Sequence, residues 1–216
     1  MARILAVANQ KGGVGKTTTA INVGASLALA DQRVLLVDVD PQANLTSGVG
    51  LRGQESDSGN IYDALMADDI ADASAFVMPT NVSGLFAIPS DRDLAGAEIE
   101  LVSVLARETR LRRLVHALRP HYDYILIDCP PSLGLLTLNA LVAATHVLVP
   151  LQCEYYALEG LTNLMATIDR VKASTNPELE VRGVVLTMFD PRNNLAHQVA
   201  EEVKKLDINV NAVLPS

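Results

Sequence analysis

The sequence has few cysteines and no unbroken apolar run long enough to cross a membrane. Its two cysteines, Cys129 and Cys153, are too few for a disulfide framework and lack the paired spacing of a zinc site. We expect both to be reduced and buried, because a free cysteine packs as a small hydrophobe. The longest apolar region, 133–151, contains polar side chains and is unlike a span of about 20 apolar residues. We therefore expect a soluble, cytoplasmic protein.

The chain is also poor in charge and in low-complexity sequence. Charged residues make up 19% of its 216 residues, and no polar tract marks a linker or a disordered tail. Because 49% of the residues are apolar, the chain can bury one core, and we expect a single domain over 1–216. The formal net charge of −8 excludes a protein that coats nucleic acid through its overall field. Any DNA site must be a local basic patch.

Short apolar runs alternate with segments of helical periodicity. The runs 3–8 and 33–38 lack the alternation of a half-exposed strand, which indicates strands that are covered on both faces and paired in parallel. Further runs of this kind are found at 85–88, 124–128, 146–149 and 184–187. Helical spacing is found at 17–30, 93–118, 157–172 and 195–206. The sequence predicts an α/β fold with a mostly parallel sheet flanked by helices, which binds ligands at the carboxyl ends of its strands.

A glycine-rich segment follows the first predicted strand. It reads Lys11-Gly12-Gly13-Val14-Gly15-Lys16-Thr17-Thr18. A glycine turn that leads into a helix presents backbone N–H groups and a favourable field to phosphate. Lys16 is predicted to reach the β and γ phosphates of ATP, and the Thr17 hydroxyl is predicted to bind a bridging Mg²⁺. The segment departs from the usual P-loop at Gln10, where glycine is expected, and its second lysine, Lys11, has no obvious task on its own nucleotide.

Three aspartates at the ends of predicted strands complete the expected nucleotide site. Asp128 ends an apolar run as the aspartate of a Walker B strand does, and we predict that it holds Mg²⁺ through water. The alternation of side chains along a strand puts Asp38 and Asp40 on one side. Asp40 is our candidate for orienting the attacking water, and Asp38 is a further candidate magnesium ligand. The alternative for Asp40 is a turn-forming aspartate before Pro41.

The glycine-rich segment resembles the deviant Walker A loop of the ParA/MinD ATPases. Four further segments are similar to the Soj branch of ParA, the chromosome-partitioning ATPases, so that the resemblance covers nearly the whole chain. These segments are 38–42, 95–101, 128–134 and 152–160. The resemblance implies a P-loop ATPase of this type, in which Gly12 to Thr18 cradle the phosphates and Thr17 binds magnesium.

The same resemblance implies a cycle of assembly. Two chains would sandwich two ATP molecules, with Gly12 at the interface, Lys11 crossing to the partner's phosphates and Asp40 assisting the attack of water. The ATP-bound homodimer would bind double-stranded DNA without sequence preference. A ParB/Spo0J-type protein would then stimulate slow hydrolysis and reset the dimer. Such a protein would segregate chromosome or plasmid DNA and associate with the bacterial nucleoid, without a membrane partner.

Two more site residues rest on the resemblance. Arg192 matches a DNA-contacting arginine of the Soj branch, with a solvated loop arginine as the alternative. Pro215 matches the start of a segment that lines the adenine pocket. Because Soj-like proteins run on beyond the position of Ser216, we expect the P-loop ATPase domain to lack its C-terminal segment. A second cluster of arginines either forms another basic patch or lies on the solvated face of a long helix. These arginines are Arg107, Arg110, Arg112 and Arg113.

Three alternatives stay open at this point. A MinD-like membrane-associated positioning ATPase would share the loop but needs an amphipathic C-terminal helix, which these residues do not include. An iron–sulfur reductase resembling the nitrogenase iron protein would hold a cluster with cysteines from two subunits, and Cys129 lies in a different place from that family's ligand. A module that binds ATP without hydrolysing it would look alike in sequence, although Asp40 argues against it.

Overall fold

The computed structural model describes residues 2–54 and 56–205, and the backbone of 210–215. These residues form eight strands and eight α-helices. The strands are β1 (Arg3–Val7), β2 (Val34–Asp38), β3 (Met78–Pro79), β4 (Leu85–Ile88), β5 (Tyr124–Asp128), β6 (His146–Gln152), β7 (Glu180–Phe189) and β8 (Val210–Pro215). The helices are α1 (Lys16–Leu29), α2 (Asn44–Gly48), α3 (Ile61–Met66), α4 (Leu94–Glu100), α5 (Arg110–Leu118), α6 (Leu135–Ala143), α7 (Ala157–Ser174) and α8 (Asn194–Lys205).

The strands form one sheet with β1 near its centre. Their order is β3-β4-β2-β5-β1-β6-β7-β8, and the described strands pair in parallel except for β3, which is antiparallel to β4. Asp128 of β5 lies opposite both Val7 of β1 and Asp38 of β2. Three neighbouring strands therefore end at the same level of the carboxyl edge. The predicted α/β fold with a mostly parallel sheet is confirmed.

The core has two layers, because each face of the sheet is covered by helices. Side chains of α1 and α2 pack on one face, and side chains of α3 to α8 pack on the other. Strand β2 shows this arrangement directly, since Leu36 belongs to the first layer and Leu35 to the second, and both are fully buried. A strand that is buried on both sides needs apolar residues at successive positions. The unbroken apolar runs of the sequence have this cause.

The single long helix predicted over 93–118 is wrong. The segment contains α4 and α5, which are separated by 3₁₀ turns at 101–103 and 107–109. Between these turns, Ala106 adopts a left-handed conformation with φ of 54°, which ends helical geometry. The guanidinium of Arg107 donates to the backbone carbonyl of Val102 and so bridges the break. Helical periodicity in the sequence is strong only over the second half of the segment, which is α5.

The four arginines of this region form hydrogen bonds within the folded chain. All four donate to backbone carbonyl groups, and Arg110 is itself buried, with a contact to Asp68 as well. The carbonyl acceptors are those of Val102 for Arg107, Ala67 for Arg110, Thr175 for Arg112, and Ala67 and Asp68 for Arg113. Bonds of this kind satisfy loop carbonyls that helices and strands leave unpaired. We therefore do not regard this cluster as a second DNA patch.

Two expectations from composition hold for the part of the chain that the structure describes. Cys129 and Cys153 are free and buried, as predicted. Burial raises the pKa of the Cys153 thiol and, more strongly, that of Cys129, so that both thiols stay protonated at neutral pH. None of the described helices is both long and apolar enough to span a bilayer.

The two-layer core predicts how leucine truncation affects stability. Leu114 of α5 has 0% exposure and Leu29 of α1 has 79% exposure. Leu114→Ala should lower the free energy of unfolding by about 2–5 kcal/mol, because it removes buried methyl groups and leaves a cavity. Leu29→Ala should change it by less than about 0.5 kcal/mol. Urea unfolding of nucleotide-free protein, followed by circular dichroism, checks this; equal losses in the two variants would contradict the described packing.

Candidate functional site

The loop between β1 and α1 depends on glycine at two positions. Gly13 and Gly15 have φ angles of 75° and 86°, which residues with a Cβ atom rarely adopt. Gly15 is the residue before α1, so the loop turns directly into the helix N-terminus. The Thr187 hydroxyl, on β7, donates to the carbonyl oxygen of Val14 at 2.9 Å and fixes the loop from the neighbouring strand. The loop is therefore shaped and held as an anion cradle.

A cavity of about 540 Å³ opens over this loop. Its volume lies within the range of small-molecule sites, which is about 300–1,000 Å³. Seven of its lining residues are site residues predicted from the sequence: Gly12, Gly13, Gly15, Lys16, Thr17, Thr18 and Asp40. The structure therefore brings most of the predicted phosphate site together with the predicted water-orienting aspartate.

The two lysines of the loop occupy different environments. Lys16 is buried, and its ammonium donates to the carbonyl oxygen of Lys11 at 2.9 Å. Burial lowers the pKa of Lys16, and the charge of Asp128 offsets this in part. The Lys11 ammonium instead forms an ion pair with the carboxylate of Glu154, in the loop between β6 and α7. Lys16 lines the cavity over the loop, whereas the side chain of Lys11 is directed towards the neighbouring loop.

Asp128 has the chemistry of a cation ligand. It has no exposed surface, and neither of its carboxylate oxygens has a hydrogen-bond partner among the described residues. Burial raises the pKa of Asp128 to about 7; the nearby Thr17 hydroxyl and Lys16 oppose this shift, and Asp38 and Asp40 add to it. Buried polar groups are normally paired. A Mg²⁺ ion close to Thr17 would fit these unpaired oxygens, either directly or through water.

The two other aspartates differ from each other. Asp38 accepts hydrogen bonds from the Thr46 hydroxyl at 2.7 Å and the Thr46 N–H at 2.9 Å, and from the N–H of Asp40 at 3.1 Å. Burial nevertheless raises the pKa of Asp38 to about 6. Asp40 accepts from the N–H of Gln42 at 2.9 Å and lines the cavity, although it is largely buried. Asp38 thus organises the turn below the cavity, and its role as a direct magnesium ligand stays a prediction.

No preformed metal cage is found among the described residues, where three or more His, Cys, Asp or Glu side chains do not converge on one point. Magnesium sites in nucleotide enzymes need only one or two protein ligands, because phosphate and water oxygens supply the others. Asp128 and the Thr17 hydroxyl would therefore be sufficient protein ligands for a magnesium ion that arrives with ATP.

Several lining residues were not identified as site residues from the sequence. They are Ile21, Gln42, Asn44, Gly48, Pro131 and Met188. Gln42 and Asn44 follow Asp40 in a turn where Ala43 has a φ of 51°. Polar residues directly after a strand could have indicated from the sequence that this turn lines the site. Met188 comes from β7 with a φ of 50°, which the sequence did not indicate. An unusual backbone angle at a cavity wall is a frequent feature of functional sites.

The cavity lining does not test the two residues that were assigned by resemblance alone. Arg192 is in the exposed loop after β7, where its guanidinium forms two hydrogen bonds of 3.0 Å with the carboxylate of Asp190. These bonds lower the pKa of Asp190. Pro215 ends β8 opposite Phe189, and its side chain lies outside the described part of the chain. Both assignments stay predictions.

Comparison with known proteins identifies the family. The chain matches a family described as an AAA domain over residues 2–181. The chromosome partitioning protein ParA of Myxococcus xanthus is 58% identical over 202 residues, which cover 94% of this chain and 70% of that protein. This chain belongs to the ParA/Soj family. The sporulation initiation inhibitor protein Soj of Bacillus subtilis, also of the ParA/Soj family, is 54% identical over 95% of this chain and 80% of its own length.

Solved structures support the nucleotide site of this ParA/Soj chain. A Mycobacterium smegmatis protein named cobyrinic acid a,c-diamide synthase, with bound ADP and magnesium, is 42% identical, with a TM-score of 0.85 over 95% of this chain and 82% of that one. A plasmid partition protein from Borrelia burgdorferi is 28% identical, with a TM-score of 0.86 over 99% of this chain and 90% of that one. The chain is accordingly a partitioning-type P-loop ATPase whose ligands are ATP and Mg²⁺.

The buried carboxylate predicts an unusual dependence of stability on pH. The pKa of Asp128 is higher in the folded chain than the ordinary value of about 3.8 in the unfolded chain, so the folded state binds the extra proton. The contribution of Asp128 to the free energy of unfolding is therefore fully present below the unfolded pKa and is lost as pH rises through about 7. Asp128→Asn removes this loss.

We subtract the unfolding free energy of wild type from that of Asp128→Asn at each pH. This difference should increase by about 2–3 kcal/mol from pH 5 to pH 8, because only wild type loses the contribution of the protonated Asp128. The measurement is urea unfolding without nucleotide and with a metal chelator. Asp169→Asn serves as control, because it removes an exposed carboxylate away from the buried site. A difference for Asp128→Asn that does not change with pH would contradict the raised pKa of Asp128.

Proposed function

We propose that this chain pairs with a second copy over two ATP molecules, binds double-stranded DNA in that state, and is reset by partner-stimulated hydrolysis. The cycle would segregate chromosome or plasmid DNA in the bacterial cytoplasm, on the nucleoid. Its ParA and Soj relatives are named for partitioning and for control of sporulation. The M. xanthus ParA protein is 58% identical to this chain, whereas the M. smegmatis protein with the synthase name is 42% identical. We therefore do not propose the synthase activity for this chain.

The main observation behind this proposal is that the two lysines of the loop lie in different places. Lys16 is buried at the phosphate loop, whereas the ammonium of Lys11 is held by Glu154 outside the cavity lining. One ammonium is enough to contact the β and γ phosphates of a bound nucleotide. A second lysine directed away from its own site is suited to the phosphates of another copy. Gly12, the residue after Lys11, lines the cavity, and we place the approach of such a copy there.

Hydrolysis of ATP needs a positioned water and stabilisation of negative charge around the γ phosphate. Asp40 supports the first task, because it lines the cavity and its carboxylate is oriented by the N–H of Gln42. Lys16 and the N–H groups of the glycine loop support the second. Bound magnesium supplies further positive charge to the phosphates. We expect slow turnover in the isolated chain, since the second copy and the partner would complete the site.

DNA binding would require a local patch, because the chain carries a net charge of −8. Arg192 is our candidate, with an exposed guanidinium at the carboxyl edge of the sheet. Its ion pair with Asp190 is exposed and therefore weak, so that a phosphate can displace the carboxylate. Joining two such patches in one dimer raises affinity through effective concentration. ATP would thus control DNA binding. We treat membrane positioning, as in MinD, as the alternative outcome.

Two substitutions separate nucleotide binding from hydrolysis. Asp40→Ala should keep Mg·ATP binding and lower the hydrolysis rate by about 100-fold, the usual contribution of a positioned base. Lys16→Ala should lose nucleotide binding itself. Calorimetric titration with a non-hydrolysable ATP analogue and a phosphate-release assay measure the two properties. Asp169→Ala, on the exposed face of α7, is the acidic control. Unchanged turnover in Asp40→Ala would remove its water-orienting role.

DNA binding is tested with Arg192→Ala. We expect wild type to bind non-specific duplex DNA only with ATP and Mg²⁺, and the variant to bind at least about threefold more weakly, with a salt dependence that falls by about one unit per chain. Arg170→Ala is the matched control, because Arg170 is exposed near the C-terminal end of α7, about 20 Å along the helix from its first residue at 1.5 Å per residue. No binding in any nucleotide state, with affinity for anionic vesicles instead, would favour membrane positioning.

A further inference from the structure

Two adjacent tyrosines stand out on the surface beside the nucleotide loop. Tyr155 and Tyr156 are 77% and 68% exposed. The chain has eight aromatic residues, five Tyr and three Phe, and the six others are buried or half-buried. Exposed tyrosines are typical of interaction sites, because they offer a large contact area with few rotatable bonds. This pair needs an explanation that the nucleotide chemistry does not supply.

The pair is ordered before any partner arrives. The two rings stack edge to face, with centroids 5.0 Å apart and an interplanar angle of 87°. Backbone bonds fix the loop below them, from the N–H of Ala157 to the carbonyl of Glu154 at 3.0 Å and from the N–H of Gly160 to that of Tyr156 at 3.3 Å. A surface that is already ordered loses less conformational entropy on association. The tyrosines are therefore suited to docking.

We propose that Tyr155 and Tyr156 are docking contacts for a second copy of this chain, which approaches over the phosphate loop. The inference rests on the proposed ATP-dependent pairing and assigns the residues that anchor it. The pair is continuous with the site, because the preceding residue, Glu154, forms the ion pair with Lys11. A second copy whose phosphates meet Lys11 must lie against the loop that holds Lys11.

Charge favours this partner over others. Each copy carries a net charge of −8, so contact between two copies is easiest where few uncompensated charges lie. Beside the tyrosines, Lys11 and Glu154 form an ion pair, and Glu159 in the first turn of α7 adds one exposed carboxylate. Single-stranded nucleic acid also stacks on exposed aromatic rings, but it requires a positive groove beside them. A surface with a compensated lysine and an exposed carboxylate is not such a groove, so a second copy that approaches over Lys11 fits it better than nucleic acid does.

The test is the dimer dissociation constant by analytical ultracentrifugation, with a non-hydrolysable ATP analogue and Mg²⁺. We expect the double variant Tyr155→Ser/Tyr156→Ser to raise this constant at least about tenfold, because aromatic anchors dominate interface energies. Tyr155→Phe/Tyr156→Phe should keep most of the affinity. Leu29→Ser is the matched control, since Leu29 is an equally exposed apolar residue, 79%, at the far end of α1. Analogue binding by calorimetry, at protein concentrations where every variant is monomeric, should be the same in all variants.

Each outcome decides the inference. A serine variant that dimerises like wild type would overturn the docking role and leave the proposed pairing intact. A wild type that never dimerises would overturn both. An equal loss in Leu29→Ser would also overturn the inference, because the effect would then not be local. Intact dimers that lose binding to single-stranded DNA or to anionic vesicles would assign the patch to a different partner and overturn the inference too.

Discussion

Asp128 ends a central strand with both carboxylate oxygens buried and without a hydrogen bond among the described residues. Burial raises its pKa to about 7, so the folded chain without nucleotide holds a carboxyl group that is costly to ionise. A cation at this position removes that cost. The rest of the site follows from this constraint, since Thr17 lies in the first turn of α1 near the carboxylate and the glycine loop would bring phosphate oxygens to the same ion. The fold gives up stability in the empty state to gain affinity for a charged ligand.

The parallel sheet explains why these groups meet. Val7, Asp128 and Asp38 lie opposite one another in neighbouring strands, so that three chain segments leave the sheet at one level. The first becomes the phosphate loop, the second carries the cation ligand, and the third becomes the turn that presents Asp40. Thr187, from β7, holds the loop in place. Backbone geometry and buried hydrogen bonds define this edge, whereas Lys11 pairs with Glu154 outside the cavity lining and the two tyrosines beside it are exposed.

Local patterns predict local features of this molecule. The unbroken apolar runs give the buried strands, and the glycine loop gives the phosphate site, because both depend on residues close in sequence. The helix break at Ala106 was missed, since a left-handed alanine has no sequence signal. The pairing of Lys11 with Glu154 was missed because 143 positions separate them. The sequence also did not indicate that the Thr46 hydroxyl holds Asp38, because the hydroxyl donor comes from the following helix, eight positions along the chain.

The most direct test of this account is the number of protons released when Mg·ATP binds. Calorimetric titrations near pH 7, in buffers of different ionisation enthalpy, measure it for wild type and for Asp128→Asn with a non-hydrolysable analogue. Because the pKa of Asp128 is about 7 in the empty chain and a nearby cation lowers it, wild type should release more protons than the variant, by about half a proton at pH 7. Equal proton release in the two proteins would contradict the claim that this buried carboxylate is the group that the bound cation satisfies.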